Sequence, residues 1–234
     1  MFGLADLQGE EWRKMKRLVT PSFSVPRLKK TVASINVAAL KMTNYLKKVE
    51  SKEFINSVDL LKGFYMTTVA SVVFGMNIDC FGETESEFEK HGKTLLDMMK
   101  FAFNFCFPNL SILFRVHIVN SSSERFFTNL FKHLVKERKA KDLEVKDILG
   151  NLMHVAEENP AMTEEMMYKT CVQFLTDGYE TASQATGIII YNLARCPEIQ
   201  EQLQDEIDMI FENKEEKEDI DEKDLNEMPY LDQV

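Results

Sequence analysis

From Met166 to Ala194 the chain is largely apolar: Leu175, Ile188, Ile189, Ile190 and Leu193 recur among few breakers, and Pro197 ends the pattern. Such a run predicts one continuous helix. At 1.5 Å per residue it measures roughly 40 Å, enough to cross a whole domain. Helical periodicity also continues from end to end of the chain, with no Gly/Ser linker, internal repeat or coiled-coil heptad. The expected fold is therefore all-α, with residues 1–234 forming one domain or part of one.

The middle of that helix reads Phe174-Leu-Thr-Asp-Gly-Tyr-Glu-Thr181-Ala, an acid and an alcohol side by side in apolar surroundings. Asp177, Gly178, Glu180 and Thr181 stand three or four residues apart and crowd one side of a helix. A mid-helix glycine costs roughly 1 kcal/mol relative to alanine, which points to a groove where something approaches the backbone. Two carboxylates one turn apart are expected to couple and to raise one pKa, which suits a group that passes protons. A plainer alternative stays open. Gly178 then only permits tight packing, Thr181 bonds back to a carbonyl, and both acids reach solvent.

Charge is unevenly distributed within a net −10. Residues 212–227 hold nine acids against three lysines, as a solvated loop or helix edge would. Arg13, Lys14, Lys16, Arg17, Arg27, Lys29 and Lys30 form a positive stretch with no acid between Trp12 and Lys30. That stretch suits phosphates, carboxylates or an acidic partner protein, or else is a solvated helix face. An acidic chain without a reader motif is not expected to bind nucleic acid. The uncharged runs at 63–78, 101–114 and 181–194 fall short of a bilayer span, and no signal peptide is visible. Cys80, Cys106, Cys171 and Cys196 are widely spaced, reading as reduced and mostly buried thiols, and His91, His117, His133 and His154 lack ligand spacing, so no metal site is expected. Expected helices are Glu10–Leu18, Val25–Val49, Ser57–Phe74, Glu85–Met99, Ser123–Lys141, Asp147–Glu157, the long central one and Pro197–Phe211. Phe101, Phe103, Phe105 and Phe107 alternate as a half-buried strand would, although Phe101 and Phe105 also fit a helix face.

Three separated segments resemble one family, the microsomal cytochrome P-450 haem-thiolate monooxygenases, nearest to the animal branch acting on steroids and foreign compounds. Gly9-Glu-Glu-Trp12-Arg-Lys-Met-Lys16-Arg-Leu-Val-Thr-Pro21-Ser-Phe23-Ser24 is similar to the C-helix. The resemblance implies that Trp12 and Lys16 bond the haem propionates, with lysine where arginine is usual. Gly178-Tyr-Glu180-Thr181 resembles the oxygen-activation groove of the I-helix. By that resemblance Gly178 opens the groove to the cofactor, Thr181 positions a proton relay and Glu180 feeds it. Asp177 stands where a small residue is usual, and Ala182 where serine or threonine is. Asn192 to Ile207 looks like the J-helix, and Thr68 to Gly75 like the E-helix. Phe174, and Phe101 and Phe105 near the substrate entrance, are the implied substrate contacts.

No cysteine here fits the family's haem-ligating loop, and Glu227 to Val234 looks like the approach to the K-helix. The chain therefore reads as an internal fragment from the C-helix to just before the K-helix. Its axial cysteine and membrane anchor are expected outside it, and the fragment alone is expected to be inactive. The parent is expected to carry haem and to insert one oxygen atom into a lipophilic substrate. Its electrons are expected from an NADPH-dependent flavoprotein reductase, at the cytosolic face of the endoplasmic reticulum membrane. The competing reading is a truncated, non-catalytic helical protein or a scaffold for lipophilic ligands.

Overall fold

The computed structural model describes residues 3–49, 54–142, 147–212, 214 and 220–234. The helices, in order, are α1 (Gly9–Val19), α2 (Val25–Leu28), α3 (Val32–Val49), α4 (Ser57–Phe74), α5 (Glu87–Lys93), α6 (Met98–Cys106), α7 (Pro108–Leu113), α8 (Ser121–Ala140), α9 (Ile148–Glu158), α10 (Glu164–Arg195), α11 (Pro197–Glu212) and α12 (Glu222–Asn226). No strand occurs among the described residues, which hold only an isolated antiparallel bridge between Leu96 and Val119. The all-α expectation holds.

The core is built around α10 crossing α4. Met66, Val69, Ala70, Val73 and Phe74 of α4 join Met167, Cys171, Val172, Leu175 and Tyr179 of α10 in one buried cluster. A ladder of rings extends it: Phe74 meets Phe131 of α8 at 4.3 Å between centroids, and Phe127 meets Phe88 of α5 at 5.2 Å. Tyr179 Oη, fully buried, donates to the Gly92 carbonyl oxygen at 2.6 Å and pins α5 to α10. By length and composition α4 is the one helix among the described residues long and apolar enough to cross a membrane. Here it packs its apolar side into the core.

Local chemistry sets the ends. Thr163 accepts a bond from Met166 N at 3.1 Å, and Glu164 and Glu165 follow in the first turn, so α10 begins two residues before its apolar periodicity does. At 32 residues it is about 48 Å long. Asn56 caps α4, whose far end stops at Gly75 with φ 61°. That left-handed turn suits glycine, and a Cβ there would lie 2.7 Å from Asp147 Oδ2. The same Asp147 takes a fork from Arg138, at 2.9 and 2.6 Å, while Arg138 Nη2 also donates to Phe74 O at 2.7 Å. One buried ion pair thus ties together the ends of α4, α8 and α9.

Three expectations need correction. The phenylalanines from Phe101 to Phe105 lie in α6, not in a strand; Asp97 caps that helix by accepting from Lys100 N at 3.1 Å. The run expected from Glu85 to Met99 breaks at Lys93, because Leu95 to Asp97 leave the helix to bond with Ile118 and Asn120. The run from Val25 to Val49 is interrupted by a 3-10 turn at Lys29–Thr31. Of the four thiols, Cys80 and Cys171 are buried, whereas Cys106 and Cys196 are exposed. The acidic stretch 212–227 falls partly outside the described residues; within them Asp221 and Asp224 form a capping box and Lys214 pairs with Asp224 at 2.8 Å.

Candidate active site

Two elements carry the residues singled out in the sequence. In α1, Met15 and Val19 lie one turn apart and are 4% and 3% exposed, which fastens that side to the core. Beside that buried strip Trp12 and Lys16, also one turn apart, are exposed, with Lys16 Nζ 4.7 Å from the indole centroid. Arg13, Lys14 and Arg17 are exposed around them, Arg13 pairing with Glu10. A cation held over an indole face beside further exposed cations leaves this surface of α1 positively charged.

The polar middle of α10 does not gather on one side. At 3.6 residues per turn, Thr181 projects about 40° from Asp177 but about 100° from Glu180. Glu180 turns towards α4, buried, and meets Lys62 Nζ at 3.0 Å. Gln184 Nε2 donates to the same carboxylate oxygen at 2.9 Å. Thr181 is exposed, and its hydroxyl donates to the Asp177 carbonyl oxygen at 2.6 Å. Asp177 shares that open side, and Gln173 Nε2 donates to its Oδ2 at 3.1 Å. Gln173 Oε1 in turn accepts from Ala5 N at 3.0 Å, tying the amino-terminal turn to the helix. Packing raises the Asp177 pKa by desolvation, and the Gln173 bond opposes the rise.

Gly178 lies against α4: a Cβ would sit 2.7 Å from Val69 Cγ2. Close helix packing is therefore one reason for the glycine. Phe174 is half-buried and meets Phe23 edge-on at 5.1 Å. Seven residues separate Phe174 from Thr181 and Thr181 from Ile188, so all three lie along one stripe. Phe101 and Phe105 stand one turn apart on α6 and are 44% and 82% exposed. Lys62 and Gln173 escaped the sequence reading. A lysine inside the apolar α4 run was the available signal for one, and the four-residue spacing to Asp177 for the other.

The family model described as Cytochrome P450 matches residues 2–234. The chain belongs to the cytochrome P450 family. Among curated relatives, cytochrome P450 3A29 of Sus scrofa is 28% identical over 224 residues, 88% of this chain and 44% of that protein. Cytochrome P450 3A25 of Mus musculus is 28% identical over 242 residues, 97% of this chain and 47% of its own length. A probable cytochrome P450 6a13 of Drosophila melanogaster is 26% identical over 235 residues, with the same coverages of 97% and 47%. This P450 chain thus spans about half the length of the curated relatives it matches.

The residues present fit part of a haem. The exposed cations beside Trp12 suit porphyrin carboxylates, and the open side of α10 offers a hydroxyl and a carboxyl. The iron's thiolate is a different matter. Burial pushes the Cys80 thiol up to about 11 and raises that of Cys171 as well, the reverse of what a thiolate ligand needs. Among the described residues no three of His, Cys, Asp and Glu form a metal-holding group.

Proposed function

We propose that this P450 chain forms the central helical part of a haem-dependent monooxygenase, which inserts one oxygen atom into an apolar substrate. The observation that carries the reading is Thr181. It sits at mid-length of the long helix, on its open side, with its proton engaged by the Asp177 carbonyl and its lone pairs free to accept. A hydroxyl so placed takes a proton from one neighbour and hands it to another without net change of charge. The resemblance alone would give the feeding of that relay to Glu180, an acid of the same helix.

Lys16 and Trp12 would hold the haem carboxylates, while the space that Gly178 leaves is taken by Val69 of α4. When bound, the haem supplies the oxygen-activating chemistry. Phe174, Phe101 and Phe105 would present apolar surface to the substrate and exclude water from it. The basic surface of α1 suits the acidic face of an NADPH-dependent flavoprotein reductase. The parent protein would work at the cytosolic face of the endoplasmic reticulum membrane.

The test is to express the full-length protein, reduce it and add carbon monoxide. The thiolate-type spectrum is expected, and Thr181→Ala should keep it while lowering product formed per NADPH. The second reading, a haem-free carrier of lipophilic molecules, draws on the exposed apolar residues of α6 and α7, such as Phe105, Ile112 and Leu113. Lack of any haem spectrum in the full-length protein would favour it.

A further inference from the structure

The geometry points to Asp177, rather than Glu180, as the acid that delivers protons to Thr181. This inference rests on the monooxygenase reading above. The two carboxylates of this helix turn differ in what they can reach. Glu180 is 5% exposed, and its Oε1 already accepts from Lys62 of α4 and from Gln184 of α10, which holds the side chain at the α4 seam and away from Thr181. Rotating Glu180 to the Thr181 side would also leave Lys62 without that partner in a mostly buried position, a costly change.

Asp177 has none of these ties. It lies on the open side one turn before Thr181, a spacing that puts side chains about 5–6 Å apart at Cβ. One water spans that distance. Gln173 orients the carboxyl through Oδ2 and leaves the other oxygen uncommitted to that bond. Desolvation holds its pKa above the ordinary aspartate value, which favours the protonated form that a donor must visit. The balance is simple. The Asp177 O–H bond breaks as its proton passes to a water, that water gives one of its own protons to the Thr181 oxygen, and Thr181 releases its hydroxyl proton onward. Solvent then reprotonates the carboxylate, and no electrons move between these groups.

The experiment uses the haem-loaded full-length protein with Asp177→Asn, Asp177→Glu, Glu180→Gln and Thr181→Ala. Two readouts are taken: the infrared stretch of bound carbon monoxide, which reports polar groups facing the pocket, and kcat and KM with product per NADPH. Asp177→Asn is expected to shift the carbon monoxide band and to lower kcat on the order of 10²-fold, the low end for loss of a positioned proton donor, with KM unchanged. Asp177→Glu is expected to restore most of the rate. Glu180→Gln is expected to leave the band in place and to lower the unfolding midpoint instead. The assignment is overturned if Glu180→Gln shifts the band and lowers kcat while Asp177→Asn does neither; the monooxygenase reading would survive that result. If Thr181→Ala and both acid variants leave product per NADPH unchanged, or if no haem is bound, the relay itself fails and the assignment falls with it.

Discussion

The two sides of α10 are built to different rules. Towards α4 and α5 the helix is buried and its conspicuous polar groups have partners: Tyr179 reaches Gly92, Glu180 reaches Lys62, and the Ser183 hydroxyl donates to the Glu180 carbonyl. Away from α4 the helix shows Asp177 and Thr181, and further along Ile188 at 62% exposure. Adjacent residues in the chain, Glu180 and Thr181, therefore belong to different environments. The lesson is that an acid–alcohol pair read as one unit in sequence is split by the helical twist into a packing residue and a surface hydroxyl.

The contrast is sharpest for large apolar side chains. Leu175 is fully buried, so Leu175→Ala should lower stability by about 3 kcal/mol, whereas Ile188→Ala in the 234-residue chain should stay within about 0.5 kcal/mol. Urea denaturation of the two variants measures the difference, and similar losses would erase the distinction between the sides.

Thiols give a comparable contrast under alkaline conditions. Desolvation, the largest cause, raises Cys80 from 9.0 to about 11, so above pH 9 the unfolded chain sheds a proton that the folded chain keeps. Stability should fall by about 2 to 3 kcal/mol as pH rises across that window. Cys171, buried on α10 and also raised, adds to the loss in the same direction. Maleimide should label the exposed Cys196 and Cys106 at pH 8 and spare Cys80 and Cys171 until the chain unfolds. Labelling of all four in the folded protein would contradict the packing described.

A smaller effect tests the seam between the sides. Gly178→Ala gains about 1 kcal/mol of helix propensity but forces a contact with Val69, an overpacking worth about 1 to 3 kcal/mol. A net loss near 1 kcal/mol is expected, recovered in part by adding Val69→Ala. A stabilised Gly178→Ala would show that close packing is not why the position lacks a side chain.

Much of the scaffold was legible in the sequence because it depends on local rules. The α10 and α11 boundaries follow from apolar periodicity and Pro197, and the early start of α10 follows from the Thr163 cap, a signal present but outweighed by the periodicity. The phenylalanine alternation misled for a physical reason: a period of two marks a strand only when another strand accepts its bonds, and beside α6 only the single Leu96–Val119 bridge forms. The site was legible as a list of residues but not as an arrangement. Lys62 is distant in sequence from Glu180, so nothing local shows that the carboxylate is occupied. The Trp12–Lys16 pairing, one turn apart on α1, needed no such distant partner and is found together.

The most direct test of the split is a double-mutant cycle on Lys62→Met and Glu180→Gln, read by urea unfolding. The expected result is a loss of about 2 kcal/mol for each single variant and clear non-additivity in the double, because each removal strands the other partner in a mostly buried place. Additive losses, or no loss at all on changing Glu180, would mean that this carboxylate is not committed to α4 and remains free to serve the side that carries Thr181.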